Sequence, residues 1–201
     1  MGYCPYYQAI PEDSELFARL RTDERMALVL DHFFPRGGRP LDLDEEPKRD
    51  ENDEILDAIA EAAAERFSSR DEVAEVFDAL HALIAQAERA HPGLLGRTEF
   101  LNKTQDSIGE RLAERLTTLG QADAQATVDR IICGGESFAR GFEARLNPAE
   151  TVARIAEILL PIEAESLWND EDELDDLGLD YGKLRNLYLA AAVKGEAVLV
   201  Y

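Results

Sequence analysis

Carboxylates dominate the residues of this chain that could do chemistry, and they are densest near its C-terminal end. Nine acidic residues and no basic ones lie between Pro161 and Gly182. Carboxylates at that density can hold a divalent cation or pair with a basic surface. Directly after Trp168 come the six that we predict to bind a partner, namely Asp170, Glu171, Asp172, Glu173, Asp175 and Asp176.

The spacing of these acids does not fit a calcium loop. An EF-hand requires oxygen ligands at alternating positions, a glycine at the sixth and a glutamate at the twelfth. Counted from Asp170, the fifth position is Leu174 and the sixth is Asp175. The pattern leaves a solvated loop, weak nonspecific divalent binding or a docking surface for a basic partner. We therefore predict no metal and no cofactor.

Nucleophilic and acid–base chemistry has few candidates here. The three histidines, His32, His81 and His91, show no HxH, HxxxH or HExxH spacing, so no zinc or iron site is predicted. Cys133 follows two isoleucines, an apolar context that disfavours a reactive thiolate. Phosphate-binding glycine loops and GxSxG elbows are absent from the sequence. The sequence therefore identifies no catalytic residue.

Trp168 is the single tryptophan of the chain. Beside the acidic run, it is a candidate apolar anchor for a partner, because buried aromatic side chains dominate many protein interfaces. The alternative is that it packs in the core next to Leu167.

The overall charge excludes some partners. The chain has 42 acidic and 21 basic residues, a net charge of −21, and a second acidic block between Leu41 and Asp57. Such a surface repels nucleic acid and anionic lipid, so we expect neither as a partner. Arginine forks on the surface are the alternative fate of these carboxylates. Two isolated cysteines, no signal peptide and no long apolar run predict a cytoplasmic protein.

Strand patterns occur at the two ends of the chain. Residues 3–10 are rich in aromatic side chains and predict a strand, which Pro5 would place at a sheet edge or a bulge. Residues 197–201, AVLVY, predict a short apolar strand.

Helical periodicity fills the middle. A cap at Asp13 or Ser14 begins one helix, and the capping-box pair Ser69 and Glu72 begins another. Asn147 is predicted to cap a later helix. Two helices are predicted from apolar content alone, a short one from Met26 to Phe34 and one over about 53–67. Apolar stripes at helical spacing predict the others. Their residues are Leu16, Phe17 and Leu20; Val73, Val76, Phe77, Leu80, Ile84 and Ala87; the leucines and isoleucine from Leu101 to Leu119; Val152, Ile155, Leu159 and Ile162; and Leu184, Leu187, Tyr188 and Ala191. We predict an α+β fold, one mostly helical domain over residues 1–201 with a small sheet that includes both terminal strands.

Five segments of the sequence form recognisable motifs, namely GGE at 134–136, RLNPAETV at 145–152, DYGKLRNLY at 180–188, GEAVLVY at 195–201 and the aromatic opening at 1–10. Together they resemble the motifs of the YfbM-like family, small bacterial proteins of unknown function. LNKTQDSI at 101–108 is similar to a middle motif of the family, with Gln105 in place of its tryptophan and Gly109 in place of its histidine. The resemblance covers about half of the chain and implies an α+β architecture and a cytoplasmic location.

Clustered acidity without an assembled catalytic set favours a non-enzymatic protein that binds a basic protein, as an inhibitor or immunity protein does. The alternative is a small-molecule hydrolase or transferase whose pocket is assembled from distant residues. The sequence does not determine the oligomeric state.

Overall fold

The strands from the two ends of the chain pair with each other in the computed structural model. Strand β1 (Tyr6–Pro11) runs antiparallel to the last strand, with Tyr7 opposite Val200 and Ile10 opposite Ala197. The structure describes residues 5–30, 56–57, 60–61, 65–101, 104–137, 144–168 and 174–201.

The sheet within these residues has five strands in the order β2-β1-β5-β4-β3, and every pairing is antiparallel. The remaining strands are β2 (Thr98–Phe100), β3 (Glu136–Ser137), β4 (Arg145–Asn147) and β5 (Glu196–Val200). The α+β class and the inclusion of both terminal strands are thereby confirmed. The prediction of an edge position for β1 is wrong, because β2 pairs along its other side.

The described residues form two compact units by their contacts. One unit runs from Asp13 to Gly96 and contains α1 (Glu15–Thr22), α2 (Glu24–Leu30) and α3 (Arg70–Ala90). The other contains the sheet with α4 (Gln105–Thr118), α5 (Ala124–Cys133), α6 (Ala149–Leu159) and α7 (Leu179–Lys194). A 3₁₀ turn (Ala164–Ser166) and a π-helical turn (Leu174–Gly178) lie between α6 and α7. The single domain over the whole chain stays a prediction.

Local signals set the helix starts in the Asp13–Gly96 unit. Ser14 Oγ accepts a hydrogen bond from Phe17 N at 3.1 Å, and Ser69 Oγ accepts one from Glu72 N at 3.2 Å. Both predicted caps are confirmed, and each satisfies a backbone donor that the first helical turn leaves free. The whole predicted stripe of α3 is buried, namely Val73, Val76, Phe77, Leu80, Ile84 and Ala87.

Glu72 gives this unit a dependence on pH. Its carboxylate accepts hydrogen bonds of 2.7 Å from Ser68 N, Ser68 Oγ and Arg25 Nη1. The bonds from Ser68, first the backbone and then the side chain, hold the pKa of Glu72 below its ordinary value, and Arg25 lowers it further. A carboxyl with a lowered folded-state pKa stabilises the fold above its unfolded pKa and loses that contribution as the pH falls.

We therefore expect Glu72→Gln to destabilise the protein above roughly pH 4.3, the ordinary range of a glutamate. The difference from the parent should vanish as the pH falls below that range. Urea unfolding between pH 3 and pH 7 measures it. Glu75→Gln, at an exposed position of the same helix, is the control and should show no such dependence. A deficit for Glu72→Gln that stays constant over this pH range would contradict the prediction.

The unit that holds the sheet buries its core between one sheet face and the helices. Tyr7, Ala9, Val198 and Val200 contribute from the strands, and the apolar stripes of α4 to α7 pack against them. The predicted buried residues of α6 and α7 are confirmed. Gly195 ends α7 with φ 67°, the left-handed conformation in which glycine commonly ends a helix. Leu119, predicted for the stripe of α4, is exposed because it lies beyond the helix end.

The start of α6 differs from its prediction. Asn147 is the last residue of β4 and is buried, so it does not cap the helix. The first helical N–H, that of Ala149, donates instead to Glu12 Oε1 at 2.8 Å. A carboxylate distant in sequence thus performs the role that the local motif assigned to the asparagine.

Other predictions fall outside the described residues. They include the loop of the acidic block at 41–54, the aromatic residues after Leu30 and most of the helix over about 53–67. Of that helix, residues 56–57 and 60–61 are described, and they are helical.

Candidate functional site

Trp168 lies in the core of the sheet-containing unit. It is 2% exposed, and its ring meets the ring of Tyr181 edge-on, with 5.8 Å between centroids. The interpretation that Trp168 packs in the core is confirmed. The ring has almost no accessible area, and the role of Trp168 as an anchor for a partner stays a prediction.

Trp168 nevertheless lines a cavity of about 310 Å³. The other walls are Leu177 from the π-helical turn and one face of α4, which contributes Ser107, Glu110, Arg111 and Glu114. Ser107, Glu110, Arg111 and Glu114 are exposed, since they alternate with the buried stripe of the same helix. The cavity is therefore open to solvent and mostly polar, with apolar surface from the tryptophan and the leucine.

The indole nitrogen of Trp168 is a buried donor without an acceptor. Among the described residues, no oxygen or nitrogen accepts a hydrogen bond from Trp168 Nε1. Buried donors are almost always paired in folded proteins, and an unpaired one costs about 1–3 kcal/mol. The unpaired indole N–H is thus a local cost to the stability of this unit.

Asp175 and Asp176 are exposed on the turn that provides Leu177 to the cavity. Leu179, at the start of α7, is 64% exposed and closely follows them. The structure thus places two of the predicted partner-binding acids on the turn that supplies one wall of the cavity. The other four predicted acids, Asp170, Glu171, Asp172 and Glu173, lie outside the described residues.

Three of the four acids at the cavity lack the pairing that neutralises carboxylates elsewhere in this unit. Glu110, Asp175 and Asp176 form no ion pair with any residue the structure describes, whereas Glu114 pairs with Arg111 at 3.5 Å. Four other carboxylates of the unit have a basic partner: Glu150 with Arg154, Glu163 with Arg185, Asp180 with Lys183 and Glu196 with Arg97. The arginine-fork alternative therefore holds for those four acids and for Glu114, but not for Glu110, Asp175 and Asp176.

A second carboxylate group lies where β2 meets α7. Asp180 Oδ2 accepts a bond from Thr104 Oγ1 at 2.8 Å, and Asp180 Oδ1 accepts one from Lys183 Nζ at 2.9 Å. Burial raises the pKa of the nearby Glu99, with a smaller rise from Asp180 and an opposing effect of Lys183. These bonds fix the start of α7.

A polar group beneath the end of α5 has no signal in the sequence. Tyr7 Oη donates to Ile132 O at 2.8 Å, Tyr188 Oη donates to Ile131 O at 2.8 Å, and Asn147 Nδ2 donates to Arg130 O at 2.8 Å. Burial raises the pKa of Tyr188. The two tyrosines satisfy carbonyls that the helix end leaves open, and Asn147 adds a second donor to the Arg130 carbonyl, which also accepts from Gly134 N, so the role of the group is structural.

The surroundings of Cys133 and of the described histidines add no support for a catalytic role. Cys133 ends α5, and partial burial of its thiol, followed by the carboxylate of Asp129, raises its pKa. A raised pKa opposes nucleophilic use. His81 is partly buried on α3, and His91 forms the cap after that helix. His32 lies outside the described residues.

Two further cavities belong to the Asp13–Gly96 unit. One, of about 590 Å³, is lined by three arginines, Arg19, Arg25 and Arg66, together with Thr22, Asp23, Glu24 and Glu65. Its opposite charges balance, and Arg25 and Arg66 pair with Asp23 and Glu24. The other, of about 190 Å³, lies between the start of α1 and the end of α3 and includes His91. Neither cavity combines unpaired carboxylates with a buried donor that lacks an acceptor, as the Trp168 cavity does.

The described residues contain neither a candidate metal site nor a helix that could span a membrane. Within them, no three side chains among His, Cys, Asp and Glu are grouped so that they could hold a metal ion. No helix in the same residues is long and apolar enough to cross a bilayer.

No protein-family model, curated protein or solved structure matches this chain. The resemblance to the YfbM-like family stays a prediction.

Proposed function

We propose that this protein binds a basic segment of another protein through the carboxylates around the Trp168 cavity, in the manner of an inhibitor or immunity protein. The observation that carries the proposal is the combination of free acids with a side-chain-sized cavity. Asp175 and Asp176 stand exposed beside the cavity, and Glu110 and Glu114 line it.

The physical argument concerns both rate and affinity. A field of unpaired carboxylates attracts a basic surface over several ångströms and accelerates association at low salt. The exposed Leu179 adds apolar area that water would leave on binding. Acids that already pair with arginine would contribute less, since their field is partly cancelled.

The enzymatic alternative, a small-molecule hydrolase or transferase, lacks a comparable observation. Neither His81 nor Cys133 lines any of the three cavities described above. The cytoplasmic location is likewise our proposal and rests on the sequence, through its two isolated cysteines.

The proposal can be tested without a known partner by selecting binders from a displayed library of random peptides. We expect the selected peptides to be rich in arginine and lysine. Asp175→Asn combined with Asp176→Asn should weaken their binding about tenfold at low salt, since each exposed ion pair contributes up to about 1 kcal/mol. The weakening should shrink at high salt as the charges are screened.

The matched control neutralises two acids on another helix. Glu75→Gln combined with Asp78→Asn changes the net charge equally at exposed positions of α3. It should leave peptide binding within about twofold. Equal weakening by both pairs, or a selection that enriches no basic sequence, would contradict the proposed function.

A further inference from the structure

We infer that the folded state of this protein becomes more stable as the ionic strength rises, because its repulsive charges lie on the surface whereas attractive pairs that support the fold are shielded from solvent. The inference is independent of the proposed function, since no partner takes part in it.

The net charge opposes the compact state. The chain carries 42 acidic and 21 basic residues, a net charge of −21. Folding brings these charges closer together than they are in the unfolded chain, so their mutual repulsion destabilises the fold. Salt reduces this repulsion, because the screening length falls from about 30 Å at 0.01 M to about 10 Å at 0.1 M ionic strength.

Helix α3 carries such repulsion at close range. Asp71, Glu75 and Asp78 are exposed and follow one another at spacings of four and three residues. Side chains at these spacings are neighbours on a helix surface, and like charges there destabilise the helix. None of the three forms an ion pair with any residue the structure describes. Their repulsion is thus open to screening by salt.

Two attractive pairs of the sheet-containing unit are placed differently. The side chains of Arg97 and Glu196, which pair with each other, are 17% and 3% exposed. The side chain of Asp180, which pairs with Lys183 at 2.9 Å, is 10% exposed. Salt screens buried and partly buried pairs much less than exposed charges. Salt therefore removes repulsion at the surface and leaves these two attractions largely intact.

Exposed ion pairs do not reverse this balance. Both side chains are exposed in the pair of Glu150 with Arg154 and in the pair of Glu114 with Arg111. Salt weakens both pairs, but exposed pairs contribute little to stability even at low salt. The surplus of acids therefore determines the net effect of salt.

The test is thermal unfolding of the whole chain at pH 7 in sodium chloride from about 0.02 M to about 0.5 M, over which the screening length falls from roughly 20 Å to roughly 4 Å. We expect the melting temperature to rise by at least about 4 °C. The rise should be steepest at low salt and then level off, the behaviour of screening rather than of solute exclusion from the protein surface.

Variants of the protein locate the effect. Asp78→Lys reverses one charge on α3 and places a cation three residues after Glu75. Its melting temperature, relative to the parent, should be about 1–3 °C higher at the lowest salt than at the highest. Asp78→Gln, the matched control, only removes the charge and should show a smaller difference. Arg97→Met breaks a shielded pair, so its loss of stability should be the same at both ends of the salt range.

Two results would overturn the inference. One is a melting temperature of the parent that stays constant or falls as salt is added. The other is a loss from Arg97→Met that shrinks at high salt as much as the gain from Asp78→Lys does, because the pair would then be screened like a surface charge. Neither result bears on the proposed function, since these measurements contain no basic peptide.

Discussion

Arg97→Met is expected to reduce the free energy of unfolding by about 3–5 kcal/mol, as the loss of one partner from a buried ion pair usually does. Arg97 Nη1 donates to Glu196 Oε1, and the side chain of Glu196 on β5 is only 3% exposed. Arg97→Met removes the guanidinium from this buried pair and leaves the Glu196 side chain in the interior without its arginine. Urea unfolding at pH 7 measures the loss.

A double variant identifies the ion pair as the cause. Arg97→Met combined with Glu196→Met should restore most of the stability, since apolar side chains of similar volume often replace a buried pair at little cost. A single-variant loss below about 1 kcal/mol, or equal losses in both variants, would show that the pair is unimportant.

Gly134→Ala should cost about 2–6 kcal/mol, the sum of backbone strain and overpacking. Gly134 has φ 78° and ψ 162°, a region that only glycine adopts readily. A Cβ built on it would lie 2.6 Å from Arg145 Cβ, closer than any real contact of that kind. The neighbouring strand would have to move.

The matched control is Gly182→Ala on α7. A Cβ there meets nothing within 4 Å, and helical alanine is more favourable than glycine by roughly 0.5–1 kcal/mol. Thermal unfolding should therefore show opposite shifts for the two substitutions. A Gly134→Ala protein as stable as the parent would refute the close approach of Gly134 to Arg145 on β4.

The helices were predictable because their signals are local. A cap at Ser14 or Ser69 and a stripe such as Val73–Val76–Phe77–Leu80 lie within a few turns of one another, and the structure has both. The local cap motif before α6 was misleading because a residue distant in sequence caps that helix. Asn147 matched the cap pattern, but Glu12 binds the first N–H of α6.

The strands between the two ends of the chain were harder to predict because they are short. β2, β3 and β4 contain two or three residues each, too few for alternation to be recognised. Pro5 signalled an edge, yet the pairing of β2 with β1 makes β1 internal. Pairing partners are a property of the whole fold, so one strand's composition could not determine them.

The candidate site was half predictable for the same reason. Acid density pointed to Asp175 and Asp176, which are exposed, whereas Glu110 and Glu114 on the outer face of α4 were not singled out. The meeting of that face with Leu177 and Trp168 depends on tertiary packing. The orphan indole N–H depends on it too, and no spacing in the sequence encodes it.

The pairing of β1 with β5 has a consequence for synthesis on the ribosome. Tyr7 and Val200 are opposite each other in the register, so these contacts close a loop of nearly the whole chain. High contact order of this kind slows folding. The Asp13–Gly96 unit can start to fold on the nascent chain, whereas β1 must wait for residues 196–200 to leave the exit tunnel. Until then β1, which is rich in aromatic side chains, lacks its pairing partner β5, and we expect a chaperone to bind it.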